Sequence, residues 1–226
     1  KEEPVVCLEN DIRLLDTLND RLMPADFLNQ FCTHIICESG KGQFQMAGKS
    51  YQMERNDIVI WPPETNVTDI MLSPDFNAQI LLLSRNFLSE IRPNNKLSVE
   101  GFLYLLKYPV FRLTDAEREV CANNCKQLGD RVTDNGNIFY KEIMTSLAQI
   151  FIYDIWNIYS NELNKRALSD QGAGLFEKFL LLVQDNCFTN REVAFYSEKL
   201  HVTPKYLSVV CKKSSGKTAS DWIDEY

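Results

Sequence analysis

Five residues near the C-terminus have types and spacings suited to holding a nucleic acid: Thr203, Lys205, Ser208, Lys212 and Lys213. Lys205 and Ser208 are three apart and share one face of a helix; Lys212 follows four residues on, near the same face. A lysine ammonium donates to guanine O6 and N7, a serine hydroxyl serves as donor or acceptor, and lysines further along neutralise phosphate. From Arg191 to Lys217 there are six basic and two acidic residues, a local +4 on a chain of net charge −7, so the remainder carries −11. A basic segment on an acidic chain is a localised footprint for a polyanion. An ordinary helical hairpin with solvated lysines has the same pattern, and spacing alone does not separate the two.

The elements that must position these residues are legible. Glu192 to Leu200 predicts a short amphipathic helix, with Val193, Ala194, Tyr196 and Leu200 at helical spacing. His201-Val202 leaves room only for a turn. Thr203 can cap the next helix, and Pro204 fits its first position, where the missing N–H has no helical partner anyway. Tyr206, Leu207, Val210 and Cys211 predict an inward face, with Lys205, Ser208, Lys212 and Lys213 opposite; Gly216 predicts the stop. Two short helices joined by a tight turn, the second basic outside, follow helix-turn-helix logic.

The run Phe195 to Ser208, followed by Lys212-Lys213-Ser214-Ser215-Gly216-Lys217, closely resembles the first helix-turn-helix of AraC/XylS-type regulators, and Ser220-Asp221-Trp222-Ile223 resembles the start of their linker helix. The match covers about 35 residues. The resemblance implies double-stranded DNA as partner, base reading by Lys205 and Ser208, and phosphate contacts by Thr203, Lys212 and Lys213. Tyr206 and Val209 lie on the same helix and complete the implied DNA-binding set. Val209 stands where many members carry Arg; it has no hydrogen bond to offer and can touch only a thymine methyl. Family members continue into a second helix-turn-helix, and this sequence stops at Tyr226, so it is expected to be cut short of that module and to bind DNA weakly alone.

The N-terminal half reads as strands: Phe31 to Cys37, Gly42 to Met46, Lys49 to Met53, Asp57 to Trp61, Val67 to Leu72 and Phe76 to Leu83. Ala47-Gly48 predicts a hairpin turn, and Pro62-Pro63 ends a ladder. Gly40-Lys41-Gly42, Gly48, Asn56 to Ile60 and Pro62-Pro63 resemble the cupin-like sensor barrel these regulators often carry, more weakly than the C-terminal match. From Thr114 the period becomes helical. Thr114-Asp115-Ala116-Glu117 has the capping-box pattern and opens a helix to about Val132; a turn at Asp134 to Asn137 leads to a second helix from Phe139 to Glu162. Ile150 to Tyr159 is apolar around most of its circumference, which predicts either a helix buried within its domain or one shared with a second protomer. Leu163 to Gly174 predicts a linker, and Leu175 to Asn186 another helix.

The fold class expected is therefore α+β: a cupin-like β-barrel over 1–112, a helical dimerisation region over 113–163, and a partial all-α helix-turn-helix domain over 173–226. The barrel is expected to hold a small organic effector, with a homodimer and RNA polymerase as further partners. No run approaches the roughly 20 apolar residues of a membrane span. The start, Lys1-Glu2-Glu3-Pro4, has neither Met nor an apolar signal core and reads as processed or trimmed. Seven scattered cysteines without CxxC predict buried thiols in a reducing cytoplasm, with a redox sensor as the alternative. The only histidines, His34 and His201, are too few for a cupin metal cage. No metal, no cofactor and no catalytic residue are assigned, and the chain is not expected to be an enzyme. The competing readings are a ligand-binding or dimerisation module without DNA binding, and a catalytic cupin.

Overall fold

The structure is a computed structural model that describes residues 5–7, 11–15, 18, 26–91, 104–132, 134, 136–167 and 174–225. The expected strands form nearly as read: β3 (Phe31–Ser39), β4 (Lys41–Met46), β5 (Lys49–Glu54), β6 (Asp57–Trp61), β7 (Val67–Leu72) and β8 (Asn77–Ser84). Three short strands without clear alternation join them, β1 (Val5–Cys7), β2 (Ile12–Leu15) and β9 (Val110–Arg112). They make a six-stranded sheet in the order β1-β2-β8-β3-β6-β9 and a three-stranded sheet in the order β5-β4-β7.

The expected closed barrel is corrected to two open sheets. β3 pairs on both sides within the large sheet, with β6 and β8, while β4 pairs with β5 and β7. The chain passes between the sheets at Gly40, whose φ of +74° is left-handed, just after a register shift between Cys37 and Ser39. A side chain at Gly40 would place its Cβ 2.5 Å from the Phe76 Cα, so glycine is required for steric as well as conformational reasons. The β4–β5 turn uses left-handed Ala47 and Gly48, as a two-residue hairpin needs.

Side chains of the large sheet alternate between two cores. Phe31, Ile35, Val59, Trp61, Ile80 and Leu82 face the small sheet and meet Phe44, Met46 and Met53. Cys32, Ile36, Ile58, Ile60, Leu81 and Leu83 face the helices. The helices in chain order are α1 (Phe27–Gln30), α2 (Arg85–Ile91), α3 (Asp115–Arg131), α4 (Tyr140–Ala167), α5 (Leu175–Asn186), α6 (Val193–Lys199), α7 (Pro204–Ser215) and α8 (Ala219–Glu225). α3 starts with the expected capping box: Thr114 Oγ1 accepts from the Glu117 N–H at 3.3 Å and Glu117 Oε2 from the Thr114 N–H at 2.8 Å.

α4 runs five residues beyond Glu162, into the expected linker; residues 168–173 of that linker lie outside the described residues. Its apolar circumference is largely covered within one chain. Phe151, Ile152, Ile155, Ile158 and Tyr159 are buried in the core shared with the sheet and α3, and Trp156 packs against it. Ile150 and Tyr153 remain outside, about half exposed. α5 to α8 enclose a separate core around Phe179, Val183, Tyr196, Leu207, Cys211 and Ile223. No described helix is long and apolar enough to cross a membrane.

Candidate functional site

The recognition candidate, α7, is set by local chemistry. Thr203 accepts from the Tyr206 N–H at 3.2 Å, Pro204 opens the helix, and Gly216 closes it with φ 80° while its N–H donates to the Lys212 carbonyl. The turn before it is held by the His201 N–H on the Glu198 carbonyl and the Val202 N–H on the Ser197 carbonyl, each at 3.0 Å, with His201 left-handed at φ 56°. Tyr196 anchors α6: it is fully buried, meets Phe179 edge to face, and its hydroxyl donates to the Asn190 carbonyl at 2.6 Å. Leu207 and Cys211 point into the core, as expected.

The exposed face of α7 is not quite the expected one. Tyr206, expected inward by its spacing although the resemblance includes it in the DNA-binding set, is 56% exposed, and Ser208, expected outward, is half-buried. At roughly 100° per residue, the exposed residues Lys205, Tyr206, Val209, Lys212 and Lys213 span one arc, with Val209 at its middle and Ser208 beyond its edge. The expected inward set holds three apolar residues on the far side, and Tyr206 falls about a quarter turn short of them. Thr203 is exposed while capping. Two other members of the basic segment are engaged within the chain: Lys199 lies over the Phe195 ring at 4.8 Å, and Lys217 turns back to Glu64, Nζ to Oε2 2.6 Å.

That last contact borders a cavity of about 400 Å³, which the sequence did not reveal. The expected effector site inside the sheets is filled instead: Phe44 is fully buried, 5.2 Å from the Trp61 ring and 5.5 Å from the Tyr51 ring. The cavity lies on the opposite face of the large sheet. Cys32, His34 and Ile60 form its sheet wall, Leu88 and Arg85 come from α2, Ile152, Ile155 and Trp156 from α4, and Ser215, Lys217 and Trp222 from the end of α7 and beyond. The Trp222 indole N–H donates to Ser215 Oγ at 2.8 Å. Glu64 also accepts from Arg85 across the mouth. No local pattern marks Glu64, Arg85 or Lys217; only the fold brings them together.

His34 and Cys32 are the titratable groups in the sheet wall. Burial pushes His34 down to about 4, partly offset by the Leu81 carbonyl 3.4 Å from Nδ1, so the imidazole is neutral at pH 7. Its ring meets Phe151 edge to face at 5.3 Å. Cys32, Cys37, Cys121, Cys125, Cys187 and Cys211 are buried free thiols, and burial pushes Cys32, Cys37, Cys121, Cys125 and Cys211 up to about 12, which disfavours the thiolate a redox sensor needs. Among the described residues no three His, Cys, Asp or Glu side chains gather as a metal site.

The molecule is thus an α+β protein in which the β-rich half and the C-terminal helices α7 and α8 both line one cavity. It is similar in structure to the AraC-like transcriptional activator CuxR, with TM-score 0.44, 10% identity, and coverage of 95% of this chain and 71% of that one. An apo variant of ToxT from Vibrio cholerae gives TM-score 0.40 at 13% identity over 94% and 78% of the two chains. ToxT from the same organism bound to an unsaturated fatty acid gives 0.38 at 13% over 95% and 76%. With every TM-score below 0.5, no residue-by-residue correspondence follows. No protein-family model and no curated protein matches the chain.

Proposed function

We propose that this chain is a DNA-binding transcriptional regulator of the AraC/XylS type whose cavity seats a small organic effector. The observation that carries the reading is the outward arc of α7, where Lys205, Tyr206, Val209, Lys212 and Lys213 are exposed on a helix whose opposite side is locked into a core. A helix entering the major groove presents its N-terminal residues to base edges and its later cations to phosphate. Lys205 is assigned to guanine, Val209 and Tyr206 to apolar contact such as a thymine methyl, Lys212 and Lys213 to phosphate, and Thr203 to capping with its hydroxyl near the backbone. Ser208 is assigned a marginal base contact at the arc's edge.

Effector response is supported by the cavity's composite wall. An occupant would touch the sheet through Ile60, the last turn of the recognition helix through Ser215, and α8 through Trp222 at once, so it can bias how the two modules sit. The buried free thiols favour a cytoplasmic location. A homodimer would use the exposed Ile150 and Tyr153, one turn apart on α4, because Ile155 is buried in its own chain.

A gel shift of the full natural protein on the DNA upstream of its own gene tests the reading. Retarded upstream DNA at concentrations that leave scrambled duplex free is the expected outcome. Equal or absent retardation favours the ligand-binding module without DNA binding, for which the cavity is the specific support.

A further inference from the structure

The sheet wall of the cavity holds a buried polar group that its own surroundings satisfy poorly. Cys32, His34 and Ile60 form that wall, and of the three only His34 carries a strong hydrogen-bonding side chain. It is 3% exposed, and its ring is fixed edge to face against the fully buried Phe151 at 5.3 Å. Nδ1 lies 3.4 Å from the Leu81 carbonyl, which can only accept, so Nδ1 carries the proton. Burial holds the imidazole down at about 4, so at pH 7 it has that one proton and Nε2 presents a lone pair. The partner of Nε2 is the Cys32 thiol at 3.8 Å, a weak donor at a long distance.

A hydrocarbon side chain at position 34 would fill the wall without burying an acceptor that a thiol satisfies weakly. Leu88, Ile152 and Ile155, which line the same cavity, have no donor in their side chains. A strong donor for Nε2 then comes from what the cavity holds. In a largely apolar site one placed acceptor sets the chemistry and orientation of the occupant, while the apolar wall supplies affinity. We propose that the cavity takes an apolar organic molecule with a hydroxyl at its inner end, and that His34 is the specificity-determining residue, accepting from that hydroxyl through Nε2. The proposal rests on reading the cavity as the effector site. It discriminates against molecules of the same shape without the hydroxyl, which leave Nε2 to the thiol alone.

The test titrates 2-naphthol and naphthalene, alike in shape and different by one hydroxyl, into the full chain at pH 7, with binding read by the fluorescence of the compounds. The naphthol is expected to bind more tightly by roughly fivefold or more, the worth of one hydrogen bond. In His34→Phe, which keeps a ring and removes the acceptor, the ratio should fall to one or below while naphthalene binding changes less than threefold. In Glu64→Gln the ratio should persist, because both carboxylate oxygens are already taken by Arg85 and Lys217. Nitrogen NMR of the wild type should show Nε2 unprotonated, and its resonance should move further on adding 2-naphthol than on adding naphthalene. A wild-type ratio near one overturns the proposal, as does a ratio that survives in folded His34→Phe or a proton on Nε2 in the neutral ring. If that variant does not fold, the wild-type ratio and the nitrogen shift decide. Leu88→Trp, which fills the cavity, separates the two claims: equal binding of both compounds that it abolishes sinks the inference alone, whereas binding that it leaves intact, or binding of neither compound, sinks the cavity reading as well.

Discussion

The two faces of the large sheet are built from the same strands and end differently. Toward the small sheet the packing closes: Phe44, Trp61 and Met53 are each buried to within 1%. Toward the helices Cys32, His34 and Ile60 meet α4 but leave a cavity, because the cover there comes from α2, α4 and the end of α7, three elements with no common scaffold. On one face the cover is a single hydrogen-bonded three-stranded sheet, whereas cover assembled from separate elements leaves room where they meet. The vacancy that could carry function therefore sits at the seam between modules and not in the middle of the β-rich half.

The comparison sharpens first through truncation. Phe44→Ala, on the closed face, should cost about 3–5 kcal/mol, and Leu88→Ala, beside the cavity, on the order of 1 kcal/mol, both read by urea unfolding. Similar losses at the two positions would mean that the faces are packed alike.

His34 gives the next largest effect. Its folded value of about 4 lies below its ordinary 6.5. As the pH falls from 6.5 to 4, the unfolded chain takes up a proton that the native chain refuses, so the stability present above pH 6.5 is lost across that window, by about 3 kcal/mol. His34→Gln should flatten the pH dependence there by that amount; a parallel curve would place the imidazole in contact with water.

Smaller still is Thr203→Ala, which removes the cap of α7 and should cost about 1 kcal/mol. Thr203→Asp should restore most of it if capping is the whole role. Smallest in stability is Tyr153→Glu on the exposed strip of α4, expected to change unfolding by less than about 0.5 kcal/mol while abolishing any dimer seen in sedimentation. A dimer that survives it does not use this strip.

What the sequence made legible follows the same seam. Local chemistry with a fixed offset was readable: Pro62-Pro63 ending β6, the Ala47-Gly48 turn, the Thr114–Glu117 box, and the Thr203-Pro204 start and Gly216 stop of α7. Elements held by their neighbours were not. β9 is three residues long and exists through pairing with β6, and α2 follows directly on β8 with only Phe87 and Ile91 buried. Spacing put Tyr206 inward, because an aromatic beside a leucine reads as core, while the resemblance put it in the DNA-binding set; α7 is too short for its pattern to exclude either face. Glu64, Arg85 and Lys217 belong to three distant segments, so no spacing rule joins them.

The central claim, that the arc of α7 grips DNA, is tested most directly by salt titration. Binding of the full natural protein to its upstream DNA and to scrambled duplex is measured at several salt concentrations, in wild type, Lys212→Ala and Lys213→Ala. Each substitution should lower affinity for both duplexes alike and reduce the slope of log K against log salt by about one. Unchanged slopes in both variants would contradict the account, because the cations that define the arc would then touch no phosphate.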